Sequence, residues 1–256
     1  MGPLLTLDVN SFPMGKKTLL AIGLVLGVGL IAYWTYSLGL WRFNYPSRAQ
    51  YPVRGVDVSH HQGRIDWKTV REAGFRFVYI KATEGGNFLD PRFKTNWAES
   101  LRSGFLRGAY HYFTFRTPGR EQALNFIRAV PLQPGTLPPV IDFEFAGNSS
   151  ERLPDDKLLD GLFTFADAVA AHYGKRPIVY VTRNSYERYL AGRVGQFQIW
   201  IRSVWSRPGR VGDRQWLFWQ FGDNTRVPGI EGKVDQNVFR GSVEDLVELT
   251  GTDGTS

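Results

Sequence analysis

The sequence predicts an α/β fold, an irregular (β/α) barrel of about eight strands with fewer than eight helices, preceded by one transmembrane helix. Three observations carry that expectation. Short apolar or β-branched runs recur eight times after residue 52. Helical stretches separate the first six of those runs, and strand–helix alternation indicates parallel strands joined by crossover helices. Residues 18–41, TLLAIGLVLGVGLIAYWTYSLGLW, carry no charge, and a bilayer-spanning helix needs roughly 20 apolar residues.

Taken in order, residues 1–17 form a short N-terminal segment expected on the cytoplasmic side. Lys16 and Lys17 directly precede the apolar run, which favours that orientation; Arg42, Arg48 and Arg54 follow it and weaken the bias. Trp34, Tyr36 and Trp41 cluster at the far end of the run like an interfacial belt. No Ala-x-Ala site follows it, so residues 18–41 read as an uncleaved signal-anchor rather than a cleaved signal peptide. Met14 opens MGKKTLLAIGLVLG, a well-formed anchor start by itself, and residues 1–13 therefore read as dispensable or as the product of a mis-assigned start codon. Residues 42–52 are polar, contain proline and read as a linker.

The barrel domain is expected over 53–250. Its strand-like runs are 53–58, 76–81, 107–115, 138–144, 177–182, 197–202, 216–221 and 233–239. Helices are expected at about 66–74, 91–103, 118–129, 155–173 and 184–192, with starts at Asp66, Asp90 and Pro154-Asp155. The last two connections are too loop-rich for full helices. The tail 251–256, GTDGTS, has the composition of a disordered segment.

At 43% hydrophobic and 14% aromatic, the chain can bury a substantial core. The absence of cysteine excludes a disulfide framework and a thiolate metal site. His60 and His61 are adjacent, so they point apart and cannot easily share one ion; neither metal nor cofactor is expected. A formal charge of +7 suits an anionic partner: nucleic acid, anionic lipid and an acidic cell-wall polymer all qualify, as does a merely solvated surface.

In such a barrel, functional groups gather at the C-terminal ends of the strands. The runs offer Asp57, Ser59, His60 and His61, then Lys81 and Glu84, then Tyr110, His111 and Tyr112. They continue with Asp142 and Glu144, Tyr180 and Thr182, Trp200 and Arg202, Gln220, and Asp235. The sharpest pair lies in PVIDFEFAG, where Asp142 and Glu144 are two apart and so point to one face of a strand. Two buried acids repel and are desolvated, so one of them is expected to keep its proton near neutral pH. A protonated acid beside an ionised one suits glycosidic bond cleavage.

The segments RGVDVSHHQGRIDW, FVYIKATEG, DPRFKTNW, RGAYHYF, PVIDFEF and WQF…VPGIEGKVDQNVF occur in that order over residues 53–240. Together they resemble glycoside hydrolase family 25, whose fold is an irregular TIM-like barrel. The resemblance implies a lysozyme that cuts the β-1,4 bond between N-acetylmuramic acid and N-acetylglucosamine in peptidoglycan, with retention of configuration. It implies that Glu144 is the general acid and Asp142 the carboxylate assisting it, with Glu144 holding a proton and Asp142 remaining charged. Whether Asp142 attacks the anomeric carbon or orients the substrate's N-acetyl group stays open, with substrate assistance favoured. Asp57 and Asp235 match two further acids of the family's cleft, and Tyr110, Tyr180 and Gln220 would line sugar subsites. Trp200 would stack on a sugar face or be a buried barrel aromatic.

After Trp200 the family commonly continues Ala-Arg-Tyr, whereas this chain reads Ile201-Arg202-Ser203-Val204, so a contact near that rim is altered. The expected partners are peptidoglycan strands and the membrane, with no nucleic acid, and the chain is expected to be a monomer. The expected location is the cell membrane, crossed once, with the barrel on the periplasmic or extracellular side. A catalytically silent wall-binding module on the same fold is the alternative; the presence of all four acids speaks against it.

Overall fold

The structure, a computed structural model, describes residues 15–39, 41–148, 153–193 and 195–251. Residues 1–14, including the Met14 start, and the tail from 252 lie outside them. The chain forms two compact units, one ending at Trp41 and the other beginning at Arg42.

The first unit is helix α1 (Lys16–Ser37). Its side chains are apolar on every face, and it buries none of them within its own unit. At 22 residues and about 1.5 Å per residue it matches a hydrocarbon layer of about 30 Å. Among the described residues it is the one helix long and apolar enough to cross a membrane. The helix stops at Ser37, short of the uncharged run, and Trp41 folds back so that its indole N–H donates to Thr35 Oγ1 at 2.9 Å.

The second unit is a closed barrel. Its strands are β1 (Arg54–Val58), β2 (Phe77–Glu84), β3 (Phe88–Leu89), β4 (Leu106–Tyr112), β5 (Val140–Phe143), β6 (Ile178–Thr182), β7 (Ile199–Arg202), β8 (Phe218–Thr225) and β9 (Val234–Phe239). The order is β1-β9-β8-β7-β6-β5-β4-β2-β3, and pairing of β1 with β2 closes the ring. β3 is a two-residue edge hairpin on β2, so eight strands make the wall. Neighbours from β1 and β2 round to β8 are parallel, but β9 is antiparallel to both β8 and β1. The strands expected to be joined by crossover helices are parallel, and the irregularity falls at the last, loop-rich connection. The eight-residue loop joining β8 to β9 holds no crossover helix, so β9 returns beside β8 in the opposite sense.

Helices α2 (Trp67–Glu72), α3 (Phe93–Arg102), α4 (Gly119–Ala129), α5 (Asp155–Tyr173), α6 (Arg183–Ser185) and α7 (Val243–Glu248) complete the unit. Asp66 caps α2, its carboxylate accepting from Thr69 N at 3.2 Å. Asp155 and Asp156 open α5, where acids complement the helix dipole, and Gly174 closes it in the left-handed region. Asp90 does not cap α3, which begins after Arg92. The helix expected at 184–192 is α6 running into a π turn at Tyr186–Leu190, which lets Tyr186, Tyr189 and Leu190 all face the core. α4 and α5 approach so closely that a Cβ on Gly119 would run into the Gly161 carbonyl.

Two apolar layers follow from the strand alternation. Odd-numbered Phe77 and Tyr79 point into the barrel with Trp200 and Phe218, while Val78, Ile80, Val179 and Ile201 point out to the helices. By the same alternation, the inward positions of β5 are Val140 and Asp142, with Glu144 next in line beyond the strand end. Residues 42–52, expected as a linker, pack on this unit. Arg42 and Asn44 are buried, the Tyr45 ring lies 5.4 Å from Phe221, and Arg54 donates to the Pro46 carbonyl at 2.5 Å.

Candidate active site

The barrel mouth holds a pocket of about 240 Å³ lined by all eight residues singled out from the sequence: Asp57, Tyr110, Asp142, Glu144, Tyr180, Trp200, Gln220 and Asp235. The pleat explains the convergence, since each occupies an inward position near the mouth. Asp235 is an exception of direction. It sits at the N-terminal end of β9, and because that strand runs downward its start is the mouth end.

One hydrogen-bonded chain crosses the pocket floor. Tyr180 Oη donates to Gln220 Oε1 at 2.9 Å, and Gln220 Nε2 donates to Asp57 Oδ2 at 3.1 Å. Asn237 Nδ2 donates to the same Asp57 oxygen at 2.7 Å, while Trp200 Nε1 donates to Asn237 Oδ1 at 3.0 Å. Asp57 and Asp235 are directly opposed in register, and each carboxyl acts on the other electrostatically. Trp200 is only 2% exposed and packs against Tyr79 and Tyr180 with ring centroids 4.9 and 5.2 Å away. It has no ring face to offer a sugar, so of its two readings the structure supports the buried aromatic at the pocket floor.

Burial dominates the electrostatics. It pushes the Asp57 carboxyl up, against hydrogen bonds and Arg202 that pull it down. Asp235 is raised well above the ordinary range by burial and the charge of Asp57. Glu144 is raised to about 7, mainly by burial and further by Asp57, against the pull of Arg202. Asp142 is raised well above its usual value by burial and then by Glu144. In the free protein burial thus pushes both acids towards their protonated forms, against the expected charge on Asp142. Asp142 Oδ1 is buried and has no hydrogen-bond partner among the described residues.

Several further lining groups were offered as strand-end candidates but given no role, and Gln62 was not named. Lys81 reaches the pocket, pairs with Glu84 Oε2 at 2.7 Å and draws Asp142 down. Tyr112, Ser59, His61 and Gln62 also line it. Asn237 was missed although it is two positions from Asp235 on β9, which was the signal available. Other strand-end groups lie elsewhere. His111 faces outward, fully buried between Thr83 Oγ1 at 2.7 Å and Gln122 Oε1 at 3.0 Å, and burial lowers it to about 3. His60 Nδ1 bonds Asp90 at 2.8 Å, and Thr182 caps α6.

This arrangement presents a carboxyl that exchanges its proton near neutrality beside a second buried carboxyl, in a water-accessible cleft. That is equipment for general acid–base chemistry on a bond laid across both.

The sequence model of glycosyl hydrolases family 25 matches residues 56–230. The chain is 39% identical over 203 residues to YegX of Escherichia coli K12, an uncharacterized protein, covering 77% of this chain and 73% of that one. It is 33% identical over 208 residues to lysozyme M1 of Streptomyces globisporus, covering 77% and 71%. The fold matches that of a family 25 glycosyl hydrolase from Bacillus anthracis with a TM-score of 0.74 at 37% identity, covering 81% of this chain and 98% of that one.

Proposed function

This chain belongs to glycosyl hydrolases family 25, and on that premise we propose a membrane-anchored muramidase that retains anomeric configuration. That it is a hydrolase of the muramidase type follows from the family and its lysozyme relatives. The proposal adds the residues, the stereochemistry and the anchor.

Glu144 protonates the glycosidic oxygen between N-acetylmuramic acid and N-acetylglucosamine. Its carboxyl, raised to about 7, still holds the proton at mildly acidic pH and gives it up readily. The acetamido oxygen of the muramic residue attacks the anomeric carbon as the leaving group departs. Asp142 receives the acetamido N–H, and its buried, unpartnered Oδ1 suits that bond. A donor there also favours the ionised carboxylate, so substrate would restore the charge that burial discourages. Glu144, now ionised, takes a proton from water as it opens the cyclic intermediate, giving net retention. Asp57 and Asp235 hold the network, and Tyr110, Tyr180 and Gln220 line the sugar subsites, with Trp200 as their floor.

The single observation that carries this reading is the placement of Glu144 and Asp142 in one pocket with a pKa near 7 on Glu144. α1 supports a single-pass anchor, with the barrel outside and acting as a monomer on peptidoglycan. Mass spectrometry of fragments released from purified peptidoglycan tests the bond. Fragments ending in reducing N-acetylmuramic acid are expected; reducing N-acetylglucosamine ends would reject the assignment. Proton NMR of the first-formed anomer tests retention.

A further inference from the structure

The rim after β7, where the chain departs from the family pattern, carries a linked set of charges. Arg202 Nη2 donates to Asp223 Oδ2 at 2.8 Å. The other Asp223 oxygen accepts from Arg42 Nη1 at 3.3 Å, and that same nitrogen donates to the Val204 carbonyl at 2.9 Å. The Arg42 guanidinium also lies 4.3 Å from the Trp205 ring centroid. Its side chain is 3% exposed, against 27% for Asp223. An arginine is desolvated to that degree only where it is paired and held. Asp223 is thus fixed from one side by Arg42 and holds Arg202 on the other.

Arg202 ends β7 in register with Gln220, which belongs to the Asp57 network. Its charge pulls down Glu144, Asp57 and Asp235, whereas the charge of Asp223 pushes Asp235 up. The acid cluster therefore feels both members of the pair with opposite signs.

We propose that Arg42 and Asp223 are positioning residues that fix the Arg202 guanidinium at the edge of the acid cluster, so that the segment preceding the barrel is part of the active site. The idea rests on Glu144 being the general acid. The other charges around Glu144 are known. Asp57, Asp142 and Asp235 face the pocket from β1, β5 and β9. Tyr110 and Tyr112 come from β4, Tyr180 from β6, Lys81 from β2, and His61 from the turn after β1. None of them changes in the variants below.

The test is the alkaline limb of the pH profile of kcat/KM, measured with the full-length chain in detergent on purified peptidoglycan; that limb reports the general acid of the free enzyme. D223N lets go of Arg202, weakens its downward pull on Glu144, and moves the limb to higher pH, by roughly half a unit as the displacement of a charge at a hydrated rim would. R42Q removes a positive charge and moves it to higher pH, and R42K, which keeps the charge, restores the wild-type limb. A merely structural role lowers kcat in both variants with the limb unmoved, and that result overturns the proposal, as does a limb that moves to lower pH in D223N, the response to simple removal of a negative charge. Movement in D223N alone removes Arg42 from the role. E144Q in the same assay separates the two readings. Turnover by E144Q rejects the general acid, whereas unmoved limbs with E144Q inactive reject only the positioning pair.

Discussion

Asp57 of β1 and Asp235 of β9 stand directly opposite one another in register, and burial pushes both carboxyls up. Two buried carboxylates so placed repel when both are ionised, which favours one proton shared between them. Asp57 also accepts from Gln220 and Asn237, which favours charge on Asp57 and the proton on Asp235.

Neutralising Asp57 therefore reaches Glu144. Its charge is one of the causes that holds the Glu144 carboxyl up. In D57N the alkaline limb of kcat/KM should move to lower pH and kcat should fall at least about tenfold, within the range of a lost charge-network member. D235N should leave the limb closer to wild type, because Asp235 already carries the proton. Parallel pH profiles of the two variants check this; equal shifts would count against the division.

E144Q should lose nearly all turnover of purified peptidoglycan while keeping the fold. It should also be more stable than wild type at neutral pH. Glu144 has a raised folded value, from 4.5 to about 7. The stability it contributes is full below its unfolded value near 4.5 and is lost as pH rises through about 7. The difference is at most about 3 kcal/mol. Thermal melts at pH 4 and pH 8 should show the two proteins alike in acid and apart in base; a constant gap would contradict the shift.

D142N keeps the shape of the pocket but cannot hold a negative charge against the acetamido N–H. We expect a loss of about two to three orders of magnitude in kcat, the scale seen when a single preorganised group is removed. If the acetamido group is the nucleophile, wild-type cleavage should also depend on N-acetylation. Equal turnover of N-deacetylated peptidoglycan would favour direct attack by Asp142.

Trp200 gives a prediction about stability rather than sugar binding. W200F removes the N–H that reaches Asn237, leaving a buried acceptor unpaired at a cost of about 1–3 kcal/mol. Denaturant midpoints should fall while KM changes little. A large rise in KM at unchanged stability would restore the stacking role.

The anchor is tested by fractionation. The full chain should remain with membranes after alkaline carbonate, and a variant lacking residues 16–37 should be released into the soluble fraction. Release of the full chain would remove the anchor from the proposal.

Much of the site was legible because a strand's period of two is rigid. Once 138–144 is a barrel strand, Asp142 and Glu144 must share the inward face, and Tyr110, Tyr180, Trp200 and Gln220 obey the same parity. The direction of β9 was not legible, since residues alternate identically in a parallel and an antiparallel strand. Asn237 was overlooked because an amide carries no charge to attract notice, although it faces the same way as Asp235. The upward push on the Asp142 carboxyl escaped the sequence for another reason. Spacing shows that two acids are close, but only packing shows which is deeper. The tethering of residues 42–46 was equally hidden, because Arg42 finds Asp223 across 181 positions of chain.

The antiparallel last strand has a consequence for how the molecule is made. β1 gains one neighbour early, from β2, but its other edge waits for β9, whose pairing with Arg54 begins only at residue 238. Contacts of such sequence separation form slowly. During synthesis β1 therefore presents an open edge, the kind that recruits foreign strands, until nearly the whole chain has emerged. Asp57 in that short strand supplies a charge that discourages mispairing during the wait. The residue that organises the finished pocket also guards the unfinished barrel.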